Sequence, residues 1–333
     1  MFKIKKIIIF KFIYLFRKFF SKKFDPAISR WLSQRNWSQK NKLNKKIEIT
    51  TTVGCAMMCT YCPQTQYKTK GKNLPVAMDF EIFKKAMSNV PKDYTVHWTG
   101  YSEALHHKDF SKMADHLKQM GYQQHLGTTM FGRQISIEYL SYSKVFKSIN
   151  FHLPDDENLM KLKVDDNYIE GLEKAIRFQS SILNKKNLDI MVIGKNFHKN
   201  IRKIIDQLLY EKVIQKSQID IRKHIVSRAG QVEKMESFKM NEKINKNNAD
   251  HDKLYYCSWG RLGQGVMLPD ATLAMCCCDY SLEYISGSLI KENLKSIYKH
   301  KKLFDKKNDK INKNNFIKGN FSPCSRCEFY KSI

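Results

Sequence analysis

From Lys46 onward, short runs rich in β-branched and aromatic residues alternate with longer stretches whose apolar positions recur every three or four residues. The first pattern reads as strand and the second as amphipathic helix. Strands are predicted at Ile47–Val53, Thr95–Thr99, Gln124–Thr129, Val145–Leu153, Leu188–Ile193 and Ile219–Val226, and helices at Phe80–Ser88, Phe110–Met120, Asn167–Ser180 and Asn200–Glu211. Strands that alternate with helices predict repeated β/α units around a mainly parallel sheet. Six units are too few for a closed eight-fold barrel, so the expected α/β fold is a partial, open (β/α)6 barrel.

The pattern breaks at Glu233–Lys253, which is polar, rich in Lys, Asn and Asp, and without apolar periodicity. It reads as a linker. The expected organisation is an N-terminal segment (1–45), a β/α core (46–232), a linker (233–253) and a small cysteine-rich domain (254–333), the last built around metal rather than a large apolar core. Within the first segment, Ile8, Phe12, Leu15 and Phe19 share a helical face, while Lys11 and Arg17 cut the apolar run far below the ~20 residues of a membrane span. No small-residue cleavage site follows. Two readings fit equally: a basic amphipathic helix making peripheral contact with an anionic membrane, or a helix packed on the protein's own body.

Composition changes this picture in two ways. A net charge of +27, from 59 Lys+Arg against 32 Asp+Glu, would ordinarily suggest nucleic acid or an anionic surface. Here lysine dominates and is spread along the whole chain with Asn and Ile, as in Lys306 to Asn315. Phosphate binding needs clustered charge, so a compositional bias explains the excess better than a nucleic-acid partner does. Nine cysteines without a clean secretory signal point to metal ligands or catalytic groups in a cytoplasmic protein rather than to disulfides.

The segment Gly54-Cys55-Ala56-Met57-Met58-Cys59-Thr60-Tyr61-Cys62-Pro63 places three cysteines just past the first strand. That is the rim where β/α folds build active sites. Three thiolates can hold three irons of a 4Fe-4S cluster and leave the fourth open. Zinc, which would want a fourth ligand, is the competing reading. The Cys-x3-Cys-x2-Cys spacing, with Tyr61 directly before the last cysteine, resembles the radical S-adenosylmethionine (SAM) superfamily. The resemblance implies a 4Fe-4S cluster on Cys55, Cys59 and Cys62 whose open iron binds the amino and carboxylate groups of SAM. It further implies reductive cleavage of SAM to a 5'-deoxyadenosyl radical, hydrogen abstraction from a substrate, and an electron donor such as flavodoxin or ferredoxin. Thr99-Gly100-Tyr101-Ser102-Glu103 stands where the family carries a Gly-Gly-Glu type motif, with Tyr101-Ser102 in place of the second glycine. By the same resemblance Tyr61, Gly100, Glu103, Thr128, Ser227 and Arg228 are expected to contact SAM.

The remaining cysteines are Cys257, the run Cys276-Cys277-Cys278, and the Cys324-Ser325-Arg326-Cys327 pair. Met267 to Cys276 reads as a hairpin with Asp270-Ala271 at its turn, where Asp-Gly would be usual. This segment resembles the SPASM or twitch extension of radical SAM enzymes. The resemblance implies an auxiliary 4Fe-4S cluster on Cys257, Cys276, Cys324 and Cys327, with Cys277 the first substitute for Cys276 and Cys278 left to pack; a four-thiolate zinc site is the alternative. The implied function is a radical SAM oxidoreductase or maturase acting on a small or glycan-like molecule. A peptide substrate is the first alternative, and a zinc-dependent nucleic-acid-binding protein is the alternative of another class. His106-His107 near Glu103 are candidate acid–base groups or solvated loop. His152 and Asp155 are candidate substrate contacts, although Asp155 could equally cap the next helix.

Overall fold

The computed structural model describes residues 45–232 and 265–300, together with four short outlying strands and Cys327. Residues 1–44, most of the segment read as a linker, and Cys324 lie outside the described residues. Asn44–Ile333 form one compact unit.

The core strands are β1 (Lys46–Ile49), β2 (Thr95–Trp98), β3 (Gln124–Thr128), β4 (Phe146–His152), β5 (Leu188–Ile193) and β6 (Ile219–Arg222), all parallel in that order. Five lie within the runs read as strand, while β1 starts one residue earlier than its run and ends at Ile49 rather than Val53. The sixth is shorter than its pattern, since Lys223 breaks it before His224–Ile225 (β7). The helices are α1 (Gln64–Lys70), α2 (Phe80–Ser88), α3 (Phe110–Gln119), α4 (Gln134–Leu140), α5 (Asp166–Ile182) and α6 (Lys199–Tyr210). Asp79 starts α2 by accepting from the backbone N–H of Glu81 and Ile82 at 2.8 and 3.1 Å, which satisfies two donors that a helix start leaves open. Helices α1 and α4 were not expected: each spans only seven residues, about two turns, too short for a 3.6-residue period to be read, and α1 has a single apolar position, Tyr67.

Side-chain alternation sorts the sheet into two faces. Ile47, Ile49, Val96, Trp98, Leu126, Ile149, Phe151, Ile190 and Val192 point outward into a core shared with Phe83, Met113, Leu117, Ile176 and Ile205 of the helices. Glu48, His97, Gly127, Asn150, His152, Met191 and Arg222 point the other way, and all seven line one cavity of about 460 Å³. A cavity bounded by all six strands requires the sheet to curve around it, as an open barrel does.

The sheet does not end at β1. Strand β10 (Val266–Met267) pairs parallel to β1, and β11 (Thr272–Ala274) and β12 (Ile285–Ser288) follow antiparallel. The cysteine-rich segment thus joins the core sheet, and its hairpin turns as read from the sequence. Ala271 adopts φ 62, the left-handed value that a glycine would take without cost. Strands β8 (Lys239–Met240), β9 (Leu254–Cys257), β13 (Phe316–Lys318) and β14 (Tyr330–Ser332), helix α7 (Leu294–His300), and 3-10 turns at Ala104–His106, Lys185–Asn187 and Lys216–Gln218 complete the described elements. No helix among the described residues is long and apolar enough to cross a membrane.

Candidate active site

The cavity opens where β1 gives way to the cysteine loop. Gly54, at φ 85, turns the chain in a conformation that favours glycine. Cys62 N–H then donates to Cys59 O at 3.0 Å, and Gln64 N–H to Cys62 O at 2.8 Å, as α1 begins. A second loop braces the first: Thr60 donates to Leu159 O through its backbone N–H at 2.8 Å and its hydroxyl at 3.2 Å. That second loop is organised by Asp155, fully buried, whose carboxylate accepts from Glu157 N–H at 2.9 Å and Leu159 N–H at 2.9 Å. Asp155 therefore holds a loop rather than capping a helix.

Cys55, Cys59 and Cys62 all line the cavity. Burial pushes the Cys55 thiol up to about 11, and burial followed by repulsion from Cys62 and Cys55 pushes Cys59 higher still. Thiols in that condition stay protonated until a metal supplies compensating positive charge. Their spacing bears on which metal fits. A tetrahedral zinc with bonds of about 2.3 Å draws its sulfurs to about 3.8 Å apart. Among the described residues, the one three-thiol group whose sulfurs all lie within 4.8 Å is Cys276-Cys277-Cys278. Three thiols on one loop at the cavity form a donor set that fits a thiolate-held iron–sulfur cluster.

Beside the triad, the end of β2 passes very close to β1. A Cβ on Gly100 would sit 2.5 Å from Ile49 O, so only glycine allows this approach. Glu103, fully buried behind it, accepts four hydrogen bonds: Leu105 N–H at 3.2 Å, Thr128 hydroxyl at 2.9 Å, Thr129 N–H at 2.7 Å and Thr129 hydroxyl at 2.7 Å. Burial raises its pKa while these donors act to lower it. Its carboxylate thus ties the ends of β2 and β3 together at the cavity wall. Tyr61, buried at the cavity edge, has its hydroxyl 3.3 Å from His152 Nε2. Burial, reinforced by Arg222 and Arg228, drives His152 down to about 4, so the imidazole is neutral at physiological pH. Arg228 reaches the cavity from a turn in which Arg228, Ala229 and Gly230 all have positive φ.

Of the residues expected at the site, Tyr61, Gly100, Glu103, Thr128, Arg228 and the three cysteines meet at this cavity. Ser227 does not line it: its hydroxyl accepts from Gly230 N–H at 3.1 Å and stabilises the turn that delivers Arg228. His106 and His107 do not line it either. His107, 1% exposed, spans Met78 O and Asp109 N–H at 2.8 and 3.1 Å, a structural role. The sequence reading missed Gln64 and Tyr280, both on the cavity wall, and Cys277, weighed there only as a substitute for Cys276, lines it too. Gln64 follows directly from the cysteine motif, whereas nothing local marks Tyr280. Cys276 and Cys327 pack against one apolar cluster that contains Tyr67, Tyr101, Tyr280, Cys277 and Cys278 and also touches Cys62. Cys257 ends β9, and nothing is described of its side chain.

No family model matches the chain, and no curated protein does. Among solved structures the chain has low-identity similarity to several, the following three among them. BtrN in complex with AdoMet and 2-DOIA is 13% identical, with 83% of this chain and 97% of that one covered at a TM-score of 0.44. SuiB of Streptococcus suis bound to precursor peptide SuiA is 10% identical, with 92% and 76% covered at 0.44. Native anSMEcpe with bound AdoMet and Cp18Cys peptide is 12% identical, with 85% of each chain covered at 0.45.

Proposed function

We propose that this protein is a radical SAM enzyme that binds a 4Fe-4S cluster through Cys55, Cys59 and Cys62. The observation that carries the reading is the convergence of those three thiols with Gly100, Glu103 and Thr128 on one cavity at the C-terminal edge of a parallel sheet. When bound, the cluster and SAM supply a 5'-deoxyadenosyl radical able to remove a hydrogen atom from a substrate. The chain's own contribution is placement. The Thr60 and Asp155 contacts fix the cysteine loop, and the tight approach at Gly100 sets the β2 end against it. Glu103 presents a buried carboxylate toward which a cationic amino group would be drawn. Arg228 offers a cation for a carboxylate.

Away from the cysteines, the cavity wall carries Lys46, Glu48, His97, Asn150 and Arg222. Donors and acceptors of both charge signs suit a small, polar, hydroxyl- or amine-bearing molecule better than an apolar one. That supports a small or glycan-like substrate ahead of a peptide. An auxiliary 4Fe-4S cluster on Cys257, Cys276, Cys324 and Cys327 is part of the proposal, supported by the packing of Cys276 and Cys327 on one apolar cluster.

The test is anaerobic purification of the full chain, analysis for iron and sulfide, and reduction with dithionite in the presence of SAM. Release of 5'-deoxyadenosine by the wild type and its loss in Cys59→Ala are expected. Bound zinc without sulfide would sink the reading.

A further inference from the structure

The three cysteines of the loop are not surrounded alike. Cys55 receives backbone N–H groups from Glu103 and Met57. Cys59 donates to the Met160 carbonyl at 3.7 Å and also meets the hydroxyl of Tyr61, its neighbour two places along the loop. Two side chains meet Cys62: Gln64 Nε2 donates to its sulfur at 3.5 Å, and the thiol donates to the Tyr280 hydroxyl at 3.8 Å, from 218 residues further along the chain; a cluster-bound thiolate has no proton to give, so there the hydroxyl would be the donor.

Neither approach is incidental to packing. The Gln64 side chain is 3% exposed, and its amide N–H also donates to Tyr101 O. Because that carbonyl can only accept, the amide must turn its NH2 toward it, which leaves the second N–H for Cys62. Gln64 Oε1 is left buried without a partner among the described residues. An orphaned buried acceptor is destabilising, a cost that an apolar side chain there would avoid. Tyr280 is held from two sides. Its ring lies 4.5 Å from that of Tyr101 and 6.5 Å from that of Tyr67, with the Arg228 guanidinium 6.0 Å from its centroid. The Tyr101 hydroxyl in turn donates to Cys276 O at 2.6 Å, tying the segment that carries Tyr280 to the core.

Hydrogen bonds to a cluster's thiolate sulfur favour the more negatively charged, reduced state and so raise the potential. We propose that Gln64 and Tyr280 are positioning residues that tune the reduction potential of the cluster bound through Cys62, with Tyr280 making that tuning depend on the docked C-terminal segment. The inference rests on the iron–sulfur reading of the triad. It gives the residue standing two places after the motif, and a tyrosine remote in sequence, a role that activity alone would not reveal.

The experiment is a redox titration of the anaerobically reconstituted full chain, followed by electron paramagnetic resonance, using the reduced-cluster signal that changes when SAM is added. Tyr280→Phe removes one hydroxyl and keeps the ring. At fixed poise it should lower the reduced-to-oxidised ratio up to about tenfold, which for a one-electron couple is a shift of up to about 59 mV to lower potential. Gln64→Leu should shift in the same direction. Tyr67→Phe, whose lost hydroxyl donates to Thr52 O rather than to sulfur, should titrate as wild type. If Tyr280→Phe and Gln64→Leu, with wild-type iron content and circular dichroism, both titrate at the wild-type potential, the proposal is overturned while the enzyme reading stands. A wild-type chain with no SAM-sensitive cluster signal would overturn both.

Discussion

The close approach of β2 to β1 sets the site's geometry, and Gly100→Ala tests it directly. An added Cβ would lie 2.2 Å from Thr50 Oγ1, 2.5 Å from Ile49 O and 2.7 Å from Ile49 C. Two of those atoms belong to the backbone of β1 and cannot rotate aside. The third accepts a hydrogen bond from Tyr101 N–H at 2.8 Å, which any shift would break. Overpacking of this kind costs about 1–3 kcal/mol, and the lost hydrogen bond adds about 1. A total near 3 kcal/mol corresponds to a fall in Tm of roughly 6 °C for a folded unit of this size. Gly127→Ala is the control: its Cβ would meet only Thr99 Cγ2, at 2.8 Å, a methyl that a change of rotamer can move. Its effect should be less than half as large. Thermal unfolding followed by circular dichroism, with SAM affinity measured on the same preparations, reads both consequences. SAM affinity should fall in Gly100→Ala, because Glu103 is carried on the displaced strand end. A Gly100→Ala protein melting within 1 °C of wild type would show that the strand end is not held as described.

Two further outcomes are expected. His152 sits at about 4 when folded, below its ordinary 6.5 when unfolded, so the unfolded chain binds the proton first and stability is lost as pH falls from about 6.5 toward 4. The loss is of order 3 kcal/mol, and His152→Gln should remove that part of the acid sensitivity in urea unfolding compared at pH 7 and 4.5; parallel pH dependence in the two proteins would contradict it. Cys324→Ala combined with Cys327→Ala, if circular dichroism and the first cluster's absorbance match wild type, should still cleave SAM without substrate but form no product. Normal substrate turnover by that intact variant would reduce the second cysteine set to a structural staple.

Much of the architecture was legible because it follows from local periodicity. Six strands and four helices were readable from residues such as Ile47, Val96 and Ile190, whose alternation or 3.6-residue recurrence records which face is buried. The convergence of Cys55, Cys59 and Cys62 on one cavity was legible because they share a single short loop, and their spacing is a property of sequence. What was not legible depends on contacts between distant segments. Nothing in Val266–Met267 says that it will pair with β1, because a strand edge accepts any partner with compatible hydrogen bonding. Ser227 and Glu103 both end strands and look alike as candidates. Only the packed structure turns one into the support of a turn and the other into a buried tie between β2 and β3. Tyr280 is one of 16 tyrosines in the chain, and no local feature distinguishes it. Its hydroxyl reaches Cys62 only because β10 and β11 extend the core sheet and bring the loop after Cys278 over the cavity. The sequence alone thus determined the six core strands, four of the helices and the spacing of the cysteine loop, which are encoded by neighbours within a few residues. The tertiary structure decided which polar groups surround that chemistry, because those groups meet only once the chain has closed around the cavity.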